Sequence, residues 1–295
     1  MRFERHRVKL GPVDFRTTID AAASQHLIGS PSVVILDCRF DLVAPDAGKQ
    51  GYLRQHIPTA HYVDLNRDLS GPVSPATGRH PLPQPERFGV LLGGLGVSPD
   101  TQVIAYDDIN GSFAARAWWL LRWLGHDRAA VLDGGLQAWL KAGGPVESGE
   151  PKMPPRAAAF APRPDAAAIV TAAELVEALE DRRRLVVDAR APERFAGTVE
   201  PIDPVAGHVP GAINHPFTAN LREDGRFLPE RELARRWRER LAGTAPADVI
   251  AMCGSGVTAC HDLLALELAG LPGAKLYAGS WSEWIRDPKR PIARG

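Results

Sequence analysis

Short, continuous apolar runs alternate with helix-period stretches along the chain. VVILDCR (33–39), VIAYD (103–107), LVVDAR (185–190) and VIAMC (249–253) are apolar nearly throughout. Such runs suit strands buried on both faces of a parallel sheet rather than half-exposed, alternating strands. Helical patterns lie between them. FAARAWWLLRWL (113–124) carries Trp118, Trp119 and Trp123 on a largely apolar surface. TAAELVEALED opens on Thr171-x-x-Glu174, a capping box. PERELARRWRERL (229–241) is charged and faces solvent on one side. Strands alternating with helices predict an α/β fold with right-handed crossovers.

The pattern occurs twice, in the same order. Both VVILDCR and LVVDAR end on Asp-x-Arg. His56-Ile57-Pro58-Thr59-Ala60 parallels His208-Val209-Pro210-Gly211-Ala212, VIAYD parallels VIAMC, and Leu132-Asp133-Gly134-Gly135 parallels Tyr277-Ala278-Gly279-Ser280. A duplication explains four matched blocks kept in register. Between the copies lies a run with prolines at 151, 154, 155, 162 and 164, which disfavours a helix or a central strand and favours an extended spacer. The expected organisation is therefore a domain over 1–148, a Pro-rich linker over 149–165 and a second domain over 166–295.

Composition narrows the function classes. The chain has 295 residues, a length suited to two domains. Lys plus Arg number 35 and Asp plus Glu 35, so the net charge gives no general attraction to nucleic acid or to an anionic membrane. No apolar stretch reaches the length of a membrane span. The basic start, MRFERHRVKLGPV, has no apolar h-region behind it, so a secretory signal is not expected. Three cysteines make no disulfide framework, which points to a reducing, cytoplasmic setting. The histidines show no Cys/His ligand spacing, so no metal is expected.

One cysteine stands out. Cys253 follows the apolar run 249–252 and precedes Gly254-Ser255-Gly256-Val257-Thr258, then the helical pattern ACHDLLALEL. It is thus placed at the carboxyl end of a parallel strand, where open α/β sheets bind ligands. Two nearby glycines let loop amides turn inward, and the helix N-terminus adds positive potential. Both favour a thiolate, making Cys253 a candidate nucleophile. Cys260 and Cys38 read as small core residues. A cysteine phosphatase also sets a Cys loop before a helix, but needs an Arg at position 259, where this chain has Ala.

The loop from Cys253 to Ala259 resembles the active-site loop of the sulfurtransferase family that includes rhodanese, and in particular its 3-mercaptopyruvate sulfurtransferases. Members using thiosulfate tend to carry basic residues just after the Cys. The tandem Asp-x-Arg ends, the His-x-Pro-x-Ala turns and Gly279-Ser280-Trp281-Ser282-Glu283-Trp284 carry the resemblance over the whole chain. It implies two rhodanese-like domains, each a central parallel sheet flanked by helices. The second would be catalytic. The first, with Asp107 where the second has Cys253, would be an inactive copy, since a carboxylate cannot carry a persulfide.

The activity implied is transfer of sulfane sulfur from 3-mercaptopyruvate, through a Cys253 persulfide, to a thiol acceptor such as thioredoxin or to cyanide, without metal or organic cofactor. A thiosulfate donor, or a non-enzymatic sulfur carrier, is the alternative. Arg194 matches a carboxylate-binding arginine of the mercaptopyruvate enzymes, with Gly254, Gly256, Val257 and Thr258 completing the substrate site. Thr258 is also expected to cap the following helix. Arg190, like Arg39, is expected in a structural ion pair. Asp64 and His80 match an Asp and a His that approach Ser255 as an acid–base relay. The family's second carboxylate-binding Arg is replaced here by Asp203.

Overall fold

The computed structural model describes residues 14–150, 158–181 and 184–295. The first sheet contains β1 (Thr18–Ile19), β2 (Val33–Asp37), β3 (His61–Tyr62), β4 (Gln102–Tyr106) and β5 (Ala129–Leu132), in the order β1-β5-β4-β2-β3. The second contains β6 (Leu185–Asp188), β7 (Ile213–Asn214), β8 (Val249–Met252) and β9 (Lys275–Leu276), in the order β7-β6-β8-β9. Every strand pair is parallel. Read in reverse, the second order repeats β5-β4-β2-β3. A parallel bridge from Ile169 to Leu276 stands where β1 stands in the first sheet. The duplication seen in the residues is thus a duplication of topology.

Period-2 geometry explains why the strand runs are apolar without a break. Along β4, Val103 and Ala105 face a core shared by the two halves, while Ile104 and Tyr106 face a separate core under Trp139. Along β8, Val249 and Ala251 face the shared core, and Ile250 and Met252 pack with Trp281 and Trp284. The same parity turns the next odd residue, Cys253, toward the shared side. Helices Ala114–Trp123 and Ala259–Leu268, one from each half, pack together there. Helix Ala259–Leu268 is buried over Ala259–Leu266, as expected of a helix covered on every side.

Local signals hold as read. Thr171 and Glu174 form the reciprocal capping box, with Thr171 N to Glu174 Oε2 at 2.7 Å and Glu174 N to Thr171 Oγ1 at 3.3 Å. Helix Glu230–Leu241 buries Leu233, Ala234, Trp237 and Leu241 on one face. Arg39 pairs with Asp37 at 2.6 Å and Arg190 with Asp188 at 2.7 Å, both out of solvent. His56 and His208 are matched structural groups. Each directs Nδ1 at a backbone carbonyl, of Tyr52 at 2.7 Å and of Phe195 at 2.8 Å.

Of the Pro-rich segment, residues 151–157 lie outside the described residues, as does the basic stretch 1–13. The part from Ala158 onward is held against the first half: Ala158 N donates to Gly93 O, Arg163 N to Leu124 O and Asp165 N to Trp123 O, at 3.0, 3.0 and 2.8 Å. No helix among the described residues is long and apolar enough to cross a membrane.

Candidate active site

The Cys253 loop is fixed from below before any ligand is considered. Cys253 N donates to Ser280 Oγ at 3.0 Å, Trp281 N to Cys253 O at 3.0 Å and Ser282 N to Gly254 O at 2.9 Å. The Gly279–Ser282 turn therefore clamps the start of the loop. Gly256 has φ +75°, and a Cβ there would collide with the Ala278 carbonyl, so only glycine fits the bend. The bend aims the Gly256 amide at the sulfur, N to Sγ 3.2 Å. The amides of Ser255, Val257 and Thr258 have no acceptor among the described residues.

The resulting cavity, about 260 Å³, lies between the halves and is lined by Cys253, Gly254, Ser255, Val257 and Thr258. The first half contributes Leu65, Arg79, His80, Ile109 and Phe113, and Arg194 closes the other side. The residues singled out in the sequence thus meet, with two exceptions, one to place and one to role.

His80 comes to Ser255, Nδ1 to Oγ 2.7 Å. Burial, then the nearby Arg116 and Arg79 cations, push the His80 pKa down to about 3. The ring is neutral at physiological pH. Asp64 is the first exception. Its Oδ1 accepts from the amides of Asn66 and Arg67 at 2.9 and 3.0 Å, and its Oδ2 from the Tyr62 hydroxyl at 3.3 Å. No hydrogen bond joins it to His80. The carboxylate caps its own turn, as Asp side chains do readily. Thr258 is the second. It occupies the N-cap position of helix Ala259–Leu268, but its φ of −71° and ψ of −16° are already helical and its side chain makes no capping bond. It lines the cavity instead.

Arg194 gives Nε and Nη2 to Glu200 and Nη2 to Asp203, with ion-pair distances of 2.8 and 3.0 Å. Glu200 is held below the usual carboxylate range by Arg194 and by backbone amides, which outweigh its burial. Cys260 is fully buried, its Sγ 3.3 Å from Gly256 O, and burial pushes its pKa up to about 12.

Two arginines were not anticipated. Arg79 pairs with Asp203 and so reaches the position next to Arg194. Its only sequence signal was adjacency to His80. Arg116 is fully buried and donates to four carbonyls: Gly256 at 3.1 Å, His80 at 3.2 Å, and Leu69 and Pro81 at 3.4 Å. It ties the Cys253 loop to the His80 segment. An Arg among the apolar residues 113–117 was the available signal.

This arrangement is a thiol-centred site between two rhodanese-like halves. The rhodanese-like domain family matches residues 20–142 and 171–287, and the chain belongs to that family, as a tandem member. It is 52% identical to the "Probable 3-mercaptopyruvate sulfurtransferase" of Pseudomonas aeruginosa over 270 residues, 91% of this chain and 94% of that one. It is 36% identical to the thiosulfate sulfurtransferase of Rattus norvegicus, covering 90% of each. The solved 3-mercaptopyruvate sulfurtransferase from Leishmania major superposes with a TM-score of 0.81 at 33% identity, over 92% of this chain and 76% of that one.

Proposed function

We propose that the protein is a sulfurtransferase that takes sulfur from 3-mercaptopyruvate onto Cys253. The observation that carries this is the pairing of an amide-lined thiol with arginines placed one residue away, at Gly254, while the loop itself holds no charged side chain. A three-carbon donor with its thiol at one end and its carboxylate at the other fits that separation.

The Cys253 thiolate attacks the donor sulfur. An S–S bond forms, the C–S bond breaks, and the electron pair leaves on carbon as the enolate of pyruvate, which takes its proton from solvent. The donor's thiol proton stays on the outer sulfur or is lost to water. Loop amides, beginning with that of Gly256, hold the sulfur's negative charge in both thiolate and persulfide. With Nδ1–H of neutral His80 donating to Ser255, the serine hydroxyl is free to donate a hydrogen bond to the enolate oxygen as it forms, without giving up its proton. An acceptor thiolate, such as that of thioredoxin, or cyanide then attacks the outer sulfur and releases Cys253. Three free thiols suit a reducing compartment such as the cytoplasm. In this reading the second half is catalytic, the first is an inactive copy, and 149–165 joins them.

The rat relative leaves thiosulfate as the competing donor. Measuring kcat/KM for thiocyanate formation with each donor decides between them. A clear preference for 3-mercaptopyruvate is expected, and equal or better use of thiosulfate overturns the assignment.

A further inference from the structure

We propose that Arg116, buried in the first half, is an electrostatic positioning residue for the chemistry of the second: its charge, relayed through the Gly256 carbonyl, stabilises the anion that Cys253 carries as thiolate and as persulfide. The inference rests on the reading of Cys253 as the nucleophile and holds for either sulfur donor.

Three observations converge. First, Arg116 lacks what the other buried arginines have. Arg39 and Arg190 each lie against an aspartate, at 2.6 and 2.7 Å. Arg116 is fully buried and faces two thiols, of Cys260 and Cys253, and no carboxylate among the described residues. The Cys260 thiol is no counter-ion, since burial pushes its pKa up to about 12. Burial pushes the Arg116 pKa down, yet a guanidinium keeps its proton throughout the physiological range. A buried cation among neutral groups is costly, and the cost falls when an anion forms beside it.

Second, the duplication supplies an internal control. Arg116 and His261 hold matching places on the paired helices, counted back from Gly125 and Gly270 at their ends. Each donates across the interface to a loop carbonyl of the other half: Arg116 Nη1 to Gly256 O at 3.1 Å, His261 Nε2 to Asn110 O at 3.2 Å. Burial pushes the His261 pKa down to about 3, so that brace is neutral. The loop with its own carboxylate, Asp107, is thus braced by an imidazole, and the loop with the thiol by a cation. Bracing alone does not need the charge.

Third, the bond reaches a useful peptide group. The Gly256 carbonyl shares its peptide with the Val257 N–H, one of the loop donors that has no acceptor among the described residues. A cation on the carbonyl oxygen polarises that peptide and strengthens the N–H as a donor. The other charges around Cys253 are matched or silent. Arg79 Nη2 and Arg194 Nη1 stand 2.9 and 3.5 Å from where a Cβ on Gly254 would lie, but Asp203 and Glu200 pair with these arginines. Burial, then Arg116 itself, keeps His80 neutral, and burial pushes Asp262 well above the usual carboxylate range. Arg116 is left as the unmatched charge.

The test alkylates Cys253 with iodoacetamide, which needs no donor, and follows the labelled peptide by mass at pH 7 and pH 9.5. Arg116→Gln and Arg116→Met remove the charge. In each, the rate at pH 7 relative to pH 9.5 is expected to fall about tenfold. Arg116→Lys loses most of the carbonyl contacts but keeps the charge, and should hold the ratio within about threefold of wild type. A merely structural role would change both rates together. A folded Gln or Met variant with the wild-type ratio, or a Lys variant that loses as much as they do, overturns the proposal. A second comparison leaves Arg116 in place. Cys253→Asp should melt several degrees above Cys253→Asn at pH 7, with the gap closing as the carboxylate is protonated. Should neither neutral Arg116 variant fold, this pair decides, and equal melting temperatures overturn the proposal. Either failure leaves the sulfur-transfer reading intact, whereas a wild-type enzyme that takes up no sulfur on Cys253 would fail that reading instead.

Discussion

The loops after β4 and β8 occupy the same place in two related sheets and hold their Asp107 and Cys253 side chains in opposite ways. After β4, the Asp107 carboxylate accepts four amides: Ile109 and Gly111 on Oδ1, both at 2.9 Å, and Phe113 and Ala114 on Oδ2, at 2.7 and 2.9 Å. After β8, among the described residues, Cys253 Sγ accepts one, from Gly256 at 3.2 Å, and neighbouring amides have no acceptor. The first loop is an anion cradle permanently filled by its own side chain. The second is the same cradle holding a single sulfur in place of a carboxylate, with donors left over. The filled loop still serves the open one: Ile109 and Phe113 line the cavity, and Asn110 O meets His261 Nε2 at 3.2 Å, bracing the helix behind Cys253.

The sharpest way to break this comparison is to make the second loop like the first. Cys253→Asp should fold, since amides already face the position. It should lose sulfur transfer by a factor of order 10³ or more, as removal of a nucleophile does. Intact-mass measurement after donor treatment should show one added sulfur on the wild type and none on the variant. Persistence of the adduct in Cys253→Asp would remove Cys253 from the chemistry.

The converse change tests whether Asp107 is structural. Asp107→Ala orphans four amides in a fully buried loop, and each such donor costs about 1–3 kcal/mol before relaxation or water entry. A net loss of about 3 kcal/mol is expected, or roughly 5 °C in melting temperature for a protein of this size. Calorimetry of the variant checks this. A melting temperature within a degree or so of wild type would mean that the amides do not depend on the carboxylate.

How much of this was legible in the residues depends on distance along the chain. The strands, the duplicated topology, Asp107 opposite Cys253 and the Asp-x-Arg pairs are local patterns, and period-2 burial makes them visible. The approach of His80 to Ser255 came only through resemblance, because it crosses the interface. Arg79 escaped notice for a stronger reason. Its partner, Asp203, was read as the absence of an arginine, and nothing in the spacing of either residue reports that the two sheets bring them together. Asp64 and Thr258 failed oppositely. Asp64 spends its carboxylate on backbone amides within reach, Thr258 lines the cavity with a helical φ/ψ and no cap bond, and a motif does not record which use wins.

An intermediate effect is expected at the His80–Ser255 pair. Ser255→Ala and His80→Ala should each lower kcat with 3-mercaptopyruvate by about 10–100-fold. The pH profile sharpens the assignment. With its folded pKa near 3, His80 stays neutral through the range where a free imidazole titrates, so kcat/KM should show no acid limb near pH 6.5 that His80→Ala removes. Such a limb would mean that the ring charges in the working enzyme. The same depression has a sign for stability. His80, His215 and His261 are lowered to about 3, 4 and 3, so below pH 6.5 the unfolded chain binds more protons than the folded one. Stability is therefore lost progressively as pH falls from about 6.5 toward 3.

The smallest effect should come from Asp64, and it separates a turn-capping carboxylate from a relay member. Asn at 64 keeps an oxygen for the amides of Asn66 and Arg67, now 2.9 and 3.0 Å from Oδ1, and the turn survives without the charge. Arg67, 3.6 Å away, loses an ion pair, but its side chain is largely exposed, so little stability goes with it. Asp64→Asn should therefore change kcat by less than about twofold and leave the pH profile unaltered, because His80 is positioned by Ser255 and by Arg116 acting on its carbonyl, not by Asp64. A loss matching that of His80→Ala would restore Asp64 to the relay and imply that it turns toward the ring when donor is bound.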